Sequence, residues 1–178
     1  SGSHARNHSI DNENRYLWRR PARRLEAEAI RDAALAASGA LDAKLFGPST
    51  LDSNMKRRSI YFKVKRSKLI PMLQLYDWPD ALTSLGRRSV TTTPAQALVF
   101  INSPEVRELA DQFGASLVGK SDPVSDAYLR ALGREPRKEE RARAREFIDR
   151  QKSVRDGDQA VAVSYTHLTL PTTRLVLF

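Results

Sequence analysis

From residue 93 onward a small polar residue followed by proline marks the chain repeatedly: Thr93-Pro94, Ser103-Pro104, Asp122-Pro123, and then Pro136. Proline has no amide hydrogen and crowds a helical residue before it, so it disrupts a helix interior or a central strand. At the first position of a helix its amide would be unpaired in any case. Each mark therefore predicts a helix start. Gly119 and Gly133 predict the stops, because glycine takes the left-handed conformation without steric cost. Thr93-Pro94-Ala95-Gln96 has the layout of a capping box, and Asn102 offers a left-handed turn at the far end of that helix. Between the marks run apolar stripes of helical period: Val106, Leu109, Ala110, Phe113 and Leu117, then Val124, Ala127, Tyr128, Ala131 and Leu132. A thinner stripe, Ala144, Phe147 and Ile148, predicts a last helix on the outside of the bundle.

The strongest helical pattern of the first half is "ARRLEAEAIRDAALAASG". Leu25, Ala29, Ile30, Ala33 and Ala37 share one face, with Arg24, Glu28 and Arg31 opposite. Arg24–Glu28 and Glu28–Arg31 have the spacing of helical ion pairs, and Gly39 predicts the stop. Glu26 falls within the apolar face, as a rim residue or as a buried carboxylate paired with a distant arginine. Further upstream, Asp11 predicts the cap of a short helix over "NENRYLW", ended by Pro21, with Tyr16 and Leu17 docking on the body. Pro71 predicts a short helix in "PMLQLYDWPD", and Trp78-Pro79 a turn.

Between these helices lies "RRSIYFKVKRSK", residues 57–68, with six basic residues. Ile60, Phe62 and Val64 alternate with Tyr61, Lys63 and Lys65, the period of a half-buried strand with its even positions inward. Residues 41–56 are the expected source of its partner. The fold expected is mainly α: a single compact domain of four to five helices, with a short strand or hairpin between Ser59 and Val64.

Of 178 residues, 30 are basic and 21 acidic, a net charge of +9. The excess belongs to residues 1–90, which hold 17 basic and 9 acidic residues against 13 and 12 in 91–178. Such asymmetry points to an anionic partner. Arg57, Tyr61, Lys63 and Lys65, joined by Arg87 and Arg88 from a later loop, are the candidates for an anion clamp. Arg24, Glu26, Glu28, Arg31, Arg58, Arg66 and Asp77 are candidates for structural ion pairs. The absence of cysteine excludes disulfides, thiolate metal sites and covalent haem attachment within this chain. The longest apolar run, 97–101, is too short to span a bilayer.

No metal site is expected: His4 and His8 have helical spacing but no third ligand. There is no phosphate-binding glycine loop and no Gly-x-Ser-x-Gly elbow. Catalysis would have to rest on carboxylates such as Glu26, Glu28, Asp32 and Asp77, and each reads more simply as an ion-pair partner or a cap.

The order of "DNENRYLWRR", "RRLEAEAIRDAALAASGALD", "RRSIYFKVKRSKLIPMLQLYDWPD", "SLGRRSVTTTPAQALVFINSPEV" and "AYLRALGREP" resembles the planctomycete PSD-type domain, a domain of unknown function. The resemblance runs from about residue 9 to about residue 150. It implies a C-terminal part of a larger exported protein, in the periplasm or at the cell surface, with a cytochrome c-type haem domain upstream. It carries over no catalytic residue and no cofactor within this chain. It also implies a final helix beyond residue 150, where this chain instead turns to "SYTHLTLPTT", which resembles a translated adapter sequence. The expected layout is a disordered segment over 1–10, a helical domain over 11–158, truncated at both ends, and a non-native tail over 159–178. The function expected is a non-catalytic binding or assembly module, meeting neighbouring domains of its own polypeptide or an acidic polysaccharide. Alternatives are an enzyme part completed by upstream domains and, with less support, a nucleic-acid-binding module, for which no basic recognition helix is present.

Overall fold

A computed structural model describes residues 5–20, 24–79, 84, 86–91 and 93–154. They hold seven α-helices: α1 (Ala5–Ile10), α2 (Ala27–Ser38), α3 (Pro71–Leu75), α4 (Pro94–Asn102), α5 (Pro104–Ala115), α6 (Pro123–Leu132) and α7 (Lys138–Val154). A single 3-10 turn, Ser59–Tyr61, lies between α2 and α3. The architecture is the expected mainly helical single domain, with α2, α4, α5, α6 and α7 as its five longer helices. His4, Pro21 and the tail over 159–178 lie outside the described residues.

The proline marks at 94, 104 and 123 act as expected, while Pro136 lies two residues ahead of α7. Prolines occupy the first positions of α3, α5 and α6. Asp122 caps α6 by accepting a hydrogen bond from the Ser125 amide, and Gly133 closes that helix in the left-handed conformation. Gly39 closes α2 the same way, its amide and the next returning to Ala36 and Leu35 carbonyls. One stop differs. Asn102 remains helical, and the break between α4 and α5 falls on Ser103, which is extended (φ −65°, ψ 128°). The proline after Ser103 forces that conformation, so no left-handed residue is needed.

The apolar stripes meet in two cores. Ala27 and Ile30 of α2, Phe62, Ile70, Leu73, Tyr76 and Val106 form the first. Phe113, Leu117, Val124, Ala127, Ala144 and Ile148 form the second. Helix α5 joins them, with Val106 in one and Phe113 in the other. Helix α7 covers α6 with Ala144 and Ile148, as its thin stripe predicts.

Three local expectations are corrected. Asp11 does not start a helix over "NENRYLW". Its buried carboxylate accepts the amides of Arg15 and Tyr16 at 2.9 Å and closes a turn in which Asn14 and Leu17 have positive φ. Tyr16 and Leu17 consequently point into water rather than docking. The strand between Ser59 and Val64 is replaced by the 3-10 turn and isolated parallel bridges, Asp42 to Arg57 and Thr50 to Phe62. The partner residues come from 41–56, but only Phe62 enters the core, while Ile60 and Val64 are exposed. A 3-10 turn advances three residues per turn, so the alternation expected of a strand is lost at Ile60. Finally, Arg31 does not lie on a solvent face. It is buried at 6% exposure.

Candidate functional site

Arg31 and Asp32 stand on the second turn of α2 and organise the basic segment. The Arg31 guanidinium donates to the carbonyls of Arg57 (3.0 Å) and Met55 and to Ser59 Oγ (3.2 Å), and lies 4.7 Å from the centre of the Phe62 ring. Asp32 Oδ1 accepts both the amide (2.8 Å) and the hydroxyl (2.7 Å) of Ser59. A segment without regular backbone pairing leaves carbonyls that need donors, and an arginine fork supplies several at once. Burial lowers the Arg31 pKa, while the Asp32 charge opposes that shift. A guanidinium keeps its proton regardless.

Arg57 repeats the device one loop further out. It donates to the carbonyls of Lys44 (3.4 Å), Pro48 (3.3 Å) and Phe46, and stacks 3.6 Å above the Tyr61 ring. The Phe46 amide donates to the Tyr61 hydroxyl at 2.8 Å. Thr50 exchanges backbone hydrogen bonds with Tyr61 and Lys63. The loop over 42–50 is thus clamped against 57–63. At its tip Phe46 (φ 61°) and Gly47 (φ 99°) are left-handed. For a bulky residue that conformation is unfavourable unless its surroundings impose it.

The outer side of this loop pair is cationic. Lys44, Arg58, Lys63, Lys65, Arg66 and Lys68 are exposed, and among the described residues their side chains make no ion pair or hydrogen bond. Over 42–68 there are eight basic residues and two acidic ones, Asp42 and Asp52. Both aspartates cap their own turns, through the amides of Lys44 and Asn54.

A second cluster pins the segment over 76–91 to the start of α2. Arg24 meets Asp77 at 2.7 Å, and Asp77, left-handed at φ 62°, also accepts the amide and hydroxyl of Thr91. Glu28 accepts from Trp78 Nε1 (2.9 Å) and Arg88 (2.8 Å), and Arg88 also reaches Glu26 at 3.3 Å. Glu26 is the exposed rim residue, paired with a distant arginine. Burial would raise the Asp77 carboxyl, but the Thr91 donors and Arg24 outweigh it and hold the pKa below the ordinary value. Glu28 behaves alike, with burial opposed chiefly by the Arg88 hydrogen bond. Burial raises the pKa of the Tyr76 hydroxyl, which donates to the Gln96 carbonyl at 2.6 Å. Gln96, almost fully buried, bonds Thr93, Leu75 and Thr91 and joins α3 to α4.

The sequence-predicted site residues therefore separate. Lys63 and Lys65 face water, as does Arg87, for which no side-chain partner exists among the described residues. Arg57 and Tyr61 form the clamp rather than the anion-facing surface, and Arg88 is committed to Glu26 and Glu28. Arg24, Glu26, Glu28, Arg31 and Asp77 all take part in ion pairs, but not those of helical spacing. Arg24 goes to Asp77 and Glu28 to Arg88, while Arg31 stands 3.6 Å from Asp32. Arg58 and Arg66, expected to lock loops, remain exposed. The clamped tip at Phe46 escaped sequence reasoning, although Phe46-Gly47-Pro48 is the place where a tight turn is written.

Compared with known families, residues 1–148 match the model of PSD1, a protein family of unknown function (DUF1553). The chain belongs to that family. The match takes in both arginine clusters, the clamped loops and most of α7. No curated protein and no solved structure matches the chain. Among the described residues, no helix is long and apolar enough to cross a membrane, and no group of three metal-ligating side chains stands together.

Proposed function

We propose that this PSD1 domain is a non-catalytic binding module that presents the loop pair 42–50 and 57–68 to a polyanionic partner. One observation carries the reading: six exposed cations, with no counter-ion among the described residues, sit on or directly after the loop pair that Arg31 and Arg57 clamp. Rigid presentation lowers the ordering cost of binding, and unpaired surface cations retain their field for an anion. The carboxylates that catalysis would need are already engaged. Asp32 holds Ser59, Asp77 holds Arg24 and Thr91, and Glu26 and Glu28 hold Arg88. Helix α7 pairs its Arg150 with Glu146 instead of offering a basic stripe, which disfavours a groove-reading nucleic-acid module.

The setting proposed is the periplasm or cell surface, next to a haem-bearing upstream domain of the same polypeptide, on the strength of the family resemblance. No cofactor within this domain enters the reading. Acidic polysaccharide is the soluble polyanion that tests it. The full chain is expected to be retained on an immobilised sulfated polysaccharide and released by salt. The triple charge reversal Lys63→Glu, Lys65→Glu, Arg66→Glu should abolish retention with the circular dichroism spectrum unchanged, since these side chains have no partners among the described residues. Retention unaffected by the reversal would overturn the proposal.

A further inference from the structure

The cations do not stand alone on these loops. Leu45, Phe46, Ile60 and Val64 are 63%, 81%, 81% and 61% exposed. A soluble polyanion would use the lysines and arginines and leave these four side chains in water. Phe46 in particular is not exposed because its loop is loose. Its amide is bound by Tyr61 and its carbonyl by Arg57, and the backbone is held left-handed. Phe46 therefore projects from an over-determined turn, where a smaller residue such as asparagine would fit more easily. The Tyr61 hydroxyl that binds Phe46 belongs to the residue following Ile60, so the apolar tip adjoins the basic segment.

We infer that the polyanion is the headgroup face of an anionic lipid bilayer, with Phe46 and its apolar neighbours entering the interface and Lys44, Arg58, Lys63, Lys65, Arg66 and Lys68 meeting the lipid phosphates. The inference rests on the cationic reading above and names its partner. Interfacial binding combines the burial of apolar side chains at the headgroup boundary with attraction of basic residues to a negative surface potential. The loop pair offers both, already ordered. The balance of eight basic to two acidic residues over 42–68 gives the attraction its sign. Leu17 and Tyr16 stand beside Arg15, whose charge is paired with Glu13 at 2.7 Å.

The test is co-sedimentation of the full chain with vesicles of phosphatidylglycerol in phosphatidylcholine, against phosphatidylcholine alone. Binding is expected to the anionic vesicles only and to weaken with salt. Lys63→Gln and Lys65→Gln should each lower vesicle affinity about fivefold. Phe46→Asn, compatible with the left-handed backbone, should lower it on the order of tenfold while leaving polysaccharide retention unchanged. Leu17→Ser should change neither. Retention on polysaccharide without vesicle binding would overturn the bilayer assignment and leave the polyanion reading standing. Vesicle binding indifferent to Phe46→Asn would likewise overturn it, reducing the contact to charge. Loss of both activities would sink both readings.

Discussion

The two cores are held by different chemistry. Around Phe113, Leu117 and Val124 the framework is three helices whose backbone polar groups are satisfied within themselves, so apolar side chains do the joining. Around Ile30, Phe62 and Leu73 much of the enclosing chain is irregular. Its carbonyls and amides are met by the α2 side chains Arg31 and Asp32, while Glu28 takes the Trp78 indole. Arginine appears in both regions with different tasks. In the C-terminal region Arg141 reaches Asp122 and Ser125, and Arg134 reaches Glu140, partly exposed at helix ends. In the N-terminal region Arg31 and Arg24 are almost fully buried. A loop-rich core thus exchanges backbone pairing for a few side chains that each satisfy several groups, which concentrates its stability in single residues.

The sharpest way to break that contrast is to remove one residue from each core. Arg31→Ala leaves the carbonyls of Met55 and Arg57 without their donor and strips the stack from Phe62. A loss of about 4 kcal/mol is expected, because a buried network is broken from one side. Leu117→Ala, fully buried in the second core, should lose about 3 kcal/mol through the cavity it leaves. Urea denaturation with hydrogen exchange separates the two. Arg31→Ala should expose amides over 42–63 while α6 and α7 stay protected, and Leu117→Ala should do the reverse. Uniform loss of protection in both variants would show that the cores are not distinct.

The same contrast governs what was legible in the sequence. Proline, glycine and apolar period are local signals, and α2, α3, α5 and α6 obey them because their backbone pairing is local. Arg31 shows the limit. Helical spacing places it beside Glu28, but its partners lie 24 to 28 residues away, on carbonyls that carry no sequence signature. Period two at Ile60, Phe62 and Val64 marked the core correctly at Phe62 alone, because a strand pattern presumes a partner long enough to keep the pleat, and the bridges at Arg57 and Phe62 are isolated. The basic character of the loops was visible. That Arg57 turns inward to carbonyls while Lys63 and Lys65 stay outside depends on the fold of 42–50, which no local rule specifies.

The second effect is smaller and is read by pH. Asp77 and Glu28 both have folded pKa values below their ordinary ones of 3.8 and 4.5. A depressed carboxylate favours the folded state above its unfolded pKa, and that contribution is lost as pH falls through the folded pKa. Stability should therefore be level near neutrality and decline below about pH 4. Asp77→Asn keeps the left-handed backbone but leaves Arg24 buried without its counter-ion, where Arg24 Nε and Nη2 already have no hydrogen-bond partner among the described residues. A loss of about 2 kcal/mol at pH 7 is expected, with a shallower acid decline than the parent. An Asp77→Asn profile parallel to the parent's at every pH would mean that this pair adds nothing to the acid response.

The smallest effect tests the contrast from the opposite side. Arg150 and Glu146 face each other at helical spacing on α7, and both are largely exposed. Water and salt screen such a pair, and holding two long side chains together cancels much of the attraction. Glu146→Gln should cost no more than about 0.3 kcal/mol and vanish in high salt. The Arg24–Asp77 pair has the same two charge types at 2.7 Å, but its arginine is almost fully buried, so high salt should leave most of the Asp77→Asn loss in place. Urea midpoints for both variants at low and high salt decide the matter. If both losses faded together, geometry alone would set the strength of these pairs, and the distinction between a core held by buried arginine and one held by helix packing would fail.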